Sequence, residues 1–150
     1  MVTDRNLLLT DAQALTASAV MTDSIALGKA GLDVGVGETL ALVYQIDVAA
    51  DYTSANETYQ FEVRTATNAN GTTGAVTLLQ TPALAGNTLP VGKRVVLPIP
   101  AQSISATATH LAGYATLAGT TPTVTVTAFV MPLSMVQGDV YYASGFTVQA

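Results

Sequence analysis

The one histidine, His110, sits in Thr107-Ala108-Thr109-His110-Leu111, in a chain of 150 residues without cysteine. A metal site needs several His, Cys or carboxylate ligands brought together, so a lone imidazole reads as a polar strand residue. Asp47, Asp51 and Glu57 stand close in sequence. Paired carboxylates hydrolyse glycosides when they line one cleft and an apolar pocket raises one of them. Here the pattern places Asp47 on the polar face of a strand and Asp51 and Glu57 in the loop after it, where they read as solvated acids. The same three, or Asp33 with Glu38, offer oxygen ligands to calcium, but neither set has the spacing of a dedicated calcium loop.

A serine hydrolase needs its nucleophile on a strained elbow such as Gly-x-Ser-x-Gly. That elbow is missing, and Ser144-Gly145 reads as a bulge or bend in a strand. Gly35-Val36-Gly37-Glu38 resembles the start of a dinucleotide fingerprint, yet it lacks the third glycine and the helix that would follow. Asn56-Glu57-Thr58 and Asn70-Gly71-Thr72 match a glycosylation sequon, and Asn70-Gly71 reads better as a turn. No nucleophile, base and orienting group assemble from these residues. The expectation is a protein that is not an enzyme and takes no metal or cofactor.

Composition narrows the class. The chain is 49% hydrophobic but only 10% charged, against about 25% in an ordinary soluble domain. Its length suits one domain with a core of its own. The net charge of -5, with no basic cluster larger than Lys93-Arg94, disfavours nucleic acid as a partner. No apolar run is long enough to span a bilayer as a helix. The lead from Met1 to Leu9 is too short for a signal-peptide core, so the expectation is an unexported chain made in a cytoplasm.

Positioning falls to β-structure. Ala and Thr make up roughly a third of the residues, and Thr recurs where residues alternate, as on the exposed faces of pleated strands. Thr39 to Val48 predicts a strand with Leu40, Leu42, Tyr44, Ile46 and Val48 on one face and Thr39, Gln45 and Asp47 on the other. Thr58 to Thr67 predicts Tyr59, Phe61 and Val63 inward and Gln60, Glu62 and Arg64 outward. Thr121 to Met131 sets Val124, Val126, Ala128 and Val130 against Thr123, Thr125, Thr127 and Phe129, with both faces only weakly polar. Asp23 to Leu27, Ala75 to Gln80, Lys93 to Ile99, His110 to Leu117 and Asp139 to Val148 bring the total to about eight strands, as in a sandwich or barrel. Pro98 should end its strand or hold it at an edge. Thr10 to Met21 reads either as a short helix, with Gln13 in a loose capping box, or as an extended arm. The division expected is an arm over residues 1–22 and a β-sandwich over 23–150.

Several blocks resemble the cement, or decoration, proteins of short-tailed and related tailed bacteriophages. They are Leu7-Leu8-Leu9-Thr10-Asp11-Ala12-Gln13-Ala14-Leu15-Thr16-Ala17-Ser18-Ala19-Val20, Thr22-Asp23-Ser24-Ile25-Ala26-Leu27-Gly28 and Asp33-Val34-Gly35-Val36-Gly37-Glu38-Thr39-Leu40, then Gly92-Lys93-Arg94-Val95-Val96-Leu97-Pro98-Ile99-Pro100 and Gly119-Thr120-Thr121-Pro122-Thr123-Val124-Thr125-Val126-Thr127-Ala128. The chain differs from that pattern between Gln102 and His110, and in extending from Met131 to Ala150. The resemblance implies an all-β, jelly-roll-like antiparallel sandwich on the outside of a phage capsid.

The expected function is then structural: a virion protein that binds across joints between major capsid protein subunits and stiffens the shell. Surfaces that associate are poor in charge at their centres and use strand edges or extended arms. The expected partners are the major capsid protein and the chain itself, as a homodimer about a two-fold axis ahead of a homotrimer, with no nucleic acid and no membrane. Contact candidates are Asp4, Arg5, Leu7 and Leu8 in the arm, with Arg64, Lys93 and Arg94 facing acidic capsid loops. Deleting Met1 to Leu9 is expected to leave a folded sandwich that binds the shell less well. The alternative is a carbohydrate- or receptor-binding sandwich of a phage particle, with Tyr141-Tyr142 as the ring platform.

Overall fold

Strands form where apolar and Thr-rich positions alternate most cleanly, and also in places where that alternation is broken. In a computed structural model, residues 5–27, 38–99, 107–142 and 147–149 are described. They form β1 (Leu8–Leu15), β2 (Ala19–Val20), β3 (Ile25–Ala26), β4 (Leu40–Val48), β5 (Thr58–Ala66) and β6 (Val76–Gln80), followed by β7 (Leu84–Ala85), β8 (Arg94–Pro98), β9 (His110–Ala118), β10 (Val124–Pro132), β11 (Asp139–Tyr141) and β12 (Thr147–Gln149). One sheet has the order β1-β10-β4-β8-β11-β12, and the other β2-β9-β5-β6, with β3 also on β9 and β7 also on β5. All pairs are antiparallel except β8 with β11. The fold is an all-β sandwich.

Leu42, Tyr44 and Ile46 of β4 meet Tyr59, Phe61 and Val63 of β5 in the layer between the sheets, all fully buried. The Tyr44 and Phe61 rings stand 4.8 Å apart, tilted by 35°. Burying a ring or aliphatic side chain of this size contributes about 1.5–3 kcal/mol, so these six residues hold the two layers together. A second apolar cluster, Ala41, Val43, Val96, Phe129 and Met131, lies on the other face of the first sheet under Val136. It explains why both faces of β10 are so weakly polar. It also means that β4 has no wet face over its first half: polar outward residues begin at Gln45.

Of the two readings of residues 10–21, the extended one forms: β1 pairs with β10 in one sheet and β2 with β9 in the other, so the segment runs along both layers of the sandwich. Pairing and burial of Leu9 and Leu15 outweigh the weak helix preference of an Ala-rich stretch. Gln13 caps nothing. Its amide nitrogen donates to Val20 O at 3.2 Å and its oxygen accepts Thr22 N–H at 3.1 Å, which ties β1 to the segment after it. Two register shifts and a left-handed Ala12 (φ 47°) break the period of β1.

Two smaller expectations also resolve. β8 ends at Pro98, but it lies inside its sheet; β11 pairs only with Val95 and Val96, so the missing proline N–H falls beyond that ladder. Asp139 to Val148 is two strands rather than one, and Ser144-Gly145 between them lies outside the described residues.

Candidate contact surface

The acids close in sequence do not converge on a cleft. Glu57 is fully buried and accepts the backbone N–H groups of Ser54 and Asn56, each at 3.3 Å. Asp51 accepts Thr53 N–H at 3.3 Å and Thr53 Oγ1–H at 2.5 Å. Asp47 accepts Thr127 Oγ1–H at 2.6 Å across the β4–β10 pair. Glu38 takes Ser134 Oγ–H at 2.8 Å, while Asp33 lies outside the described residues. Among the described residues no group of three or more His, Cys, Asp or Glu side chains could hold a metal ion. His110 Nδ1 lies 2.8 Å from Thr109 Oγ1, on a strand position between Ala26 and Ala66.

The candidate cations are engaged within the fold. Arg64 forms an ion pair with Glu62 and lays its guanidinium 3.7 Å over the Tyr114 ring, leaving the side chain 14% exposed. Lys93 pairs with Asp139, and Arg94 Nε donates to Gln45 Oε1 at 3.2 Å. The apolar triplet near the N-terminus is likewise taken up. Leu7 packs on the inner core, Leu8 on the outer cluster opposite Phe129, and Leu9 is fully buried. Arg5 remains exposed and lines a cleft together with Asp11 and Asp23, and Asp4 lies outside the described residues.

A different set of residues builds a surface at one end of the sandwich, where the β4–β5, β7–β8 and β9–β10 loops meet. Tyr59, inward on β5 as the alternation predicts, sends its hydroxyl to this end. The oxygen lies 2.9 Å from Asp51 O and 3.1 Å from Thr123 O, and accepts Thr123 N–H at 3.2 Å. Burial pushes this phenol's pKa up, so it stays protonated and keeps donating. Asp51 N–H bonds Thr123 O at 2.8 Å. Asn56 clasps Thr120 twice, through Thr120 N–H at 3.1 Å and Thr120 Oγ1 at 3.2 Å.

These ties hold backbone that would otherwise avoid its conformation. Ala55 (φ 56°) and Thr121 (φ 51°) are left-handed without being glycine, and such residues cost on the order of 1–3 kcal/mol each. Gly119, at φ 106°, passes so close to the other loop that a Cβ would sit 2.6 Å from Asn56 O. Beside the tied loops, Ala50 N–H to Leu89 O and Gly92 N–H to Ile46 O bring Val48 and Val91 near each other. They are 57% and 65% exposed. The arrangement offers preshaped backbone, exposed Thr, Ser, Ala and Asn side chains beside the Thr53-bonded Asp51 carboxylate, and two apolar knobs.

None of this was accessible by counting charges. Asn56 stood out in the sequence only as part of a sequon match, and its partner Thr120 is 64 positions away. The signal that did exist was the turn chemistry of Ala118-Gly119-Thr120-Thr121-Pro122.

A search of curated proteins returns no match. A family model described as Bbp16 matches residues 9–130, from β1 through nearly all of β10, and so takes in the second sheet, the first sheet apart from β11 and β12, and the three loops that meet at this end. The chain belongs to the Bbp16 family.

Proposed function

We propose that this chain is a capsid cement protein: it binds the outside of a phage head across joints between major capsid subunits and stabilises the shell. The finer jelly-roll connectivity, self-association about a two-fold axis and location on the virion surface belong to the same proposal. The observation that carries it is the tied loop end, where Tyr59 and Asn56 hold left-handed Ala55 and Thr121 in place. A loop already ordered before binding loses little conformational freedom on contact, so more of its interaction energy becomes affinity. Many such contacts on one lattice then act at high effective concentration. The resemblance of the sequence blocks to cement proteins supplies the shell as partner.

Co-sedimentation with purified, DNA-free heads of the encoding phage tests this. The protein should pellet with heads and saturate them. Asn56→Ala, which loosens the loops without touching the core, should weaken binding by about tenfold, equivalent to ~1.4 kcal/mol. Protein that stays in the supernatant at every concentration would overturn the proposal.

A further inference from the structure

The free strand edges of this sandwich are finished differently. β1 is broken by two register shifts, turns through left-handed Ala12 and carries Asp11. β2 and β3 are two residues long. Kinks, charge and brevity all discourage a foreign strand from pairing. β6, the outer strand of the second sheet, runs Val76-Thr77-Leu78-Leu79-Gln80, without charge or proline, and among the described residues it pairs only with β5. Its one irregularity is the extra residue Leu78, which packs against the core instead of standing out.

A groove of about 740 Å³ runs beside that edge. Residues 77–82 form one wall, and Tyr141 and Tyr142, from the end of β11 in the other sheet, form the opposite wall. Among the described residues, no charged side chain lines it. Much of the side-chain hydrogen bonding along the strand wall is already spent. Gln60 Nε2 donates to Thr81 O at 2.7 Å, Thr77 Oγ1 donates to Glu62 Oε2 at 3.2 Å, and Thr81 Oγ1 accepts Phe61 N–H at 3.1 Å. What the groove presents is edge-strand main chain and the Tyr142 ring, 39% exposed, while Tyr141 is 8% exposed and packs into the core.

We propose that this groove takes an extended, uncharged segment of a partner protein as an added β-strand alongside β6. Main-chain bonds to β6 supply affinity, and the exposed Tyr142 ring covers a side chain of the added strand and so selects for it. At about 3.3 Å per residue, the strand wall accommodates a segment of matching length. The neutral lining decides the occupant's charge: a lysine or carboxylate turned into the groove would lose water and gain no partner. A saccharide is the poorer fit, because it needs the side-chain donors and acceptors that this wall has largely spent.

Fluorescence polarisation with the intact protein and a short labelled peptide of alternating Thr and Val tests the inference. Saturable binding is expected, with slowed amide exchange across Val76–Gln80. The double variant Val76→Lys with Gln80→Lys changes only exposed positions and should weaken binding by about tenfold or more. Tyr142→Ala, on the opposite wall, should weaken it independently. Absence of saturable binding, equal binding by the double variant, or displacement of the peptide by maltoheptaose would each overturn the inference. No phage head enters this measurement, so its failure leaves the cement proposal standing.

Discussion

Tyr44 reaches across the core and donates its hydroxyl to Glu62 O at 2.6 Å, joining the first sheet to the backbone of the second. Full burial drives its phenol pKa above the ordinary tyrosine range, so the donor stays protonated. Gly113 leaves the space: a Cβ there would lie 2.5 Å from Tyr44 Oη and 2.9 Å from Met21 Cγ. Gly113→Ala should therefore destabilise the fold by about 1–3 kcal/mol, as overpacking does. Tyr44→Phe should cost about 1 kcal/mol through the lost bond. In urea unfolding the double variant should be less destabilised than the sum, because removing the hydroxyl relieves the clash. Strict additivity would show that Gly113 is not there to make room for the hydroxyl. The inward position of Tyr44 was legible from alternation, but its partner was not, since the glycine that admits the hydroxyl sits on a strand far away in sequence.

β1 shows where pattern reading stops. β4, β5 and β10 declare themselves because polar and apolar residues alternate along part of each, from Tyr44 to Asp47, Tyr59 to Arg64 and Val124 to Ala128. β1 does not: its register shifts and left-handed Ala12 interrupt the alternation, and Ala is compatible with helix and strand alike. The apolar triplet that looked free to reach a partner is therefore part of the protein's own layers. Leu9→Ala should cost about 2–5 kcal/mol, and removing residues 1–9 should lower the urea midpoint clearly rather than leave an intact sandwich. A truncated protein as stable as the full chain would return those leucines to the role of a docking arm. The cations tell the same story, since Arg64, Lys93 and Arg94 were legible as residues but not as occupied ones.

Across the whole molecule, the shortage of charge takes a definite form. Three of the described cations are spent inside the fold, and part of the outer face of the first sheet, around Val43, Val96 and Phe129, is buried with Leu133 and Val136. What faces outward at the loop end is backbone held in place, Thr, Ala and Asn side chains, the exposed Val48 and Val91, and a single partly exposed carboxylate, Asp51, bonded to Thr53. Such a surface suits docking on a fixed lattice better than recognition through ion pairs, so binding to heads should vary little with salt. The class of fold was legible in the sequence; the tied loop end proposed to dock was not, because it is assembled from three loops that meet only when both sheets are in place. The most direct test is an image reconstruction of heads saturated with the protein. Density is expected outside the shell at symmetry axes, with residues 49–57, 86–91 and 119–123 turned toward the capsid. Heads without added density, or a sandwich docked with that end pointing away from the shell, would contradict it.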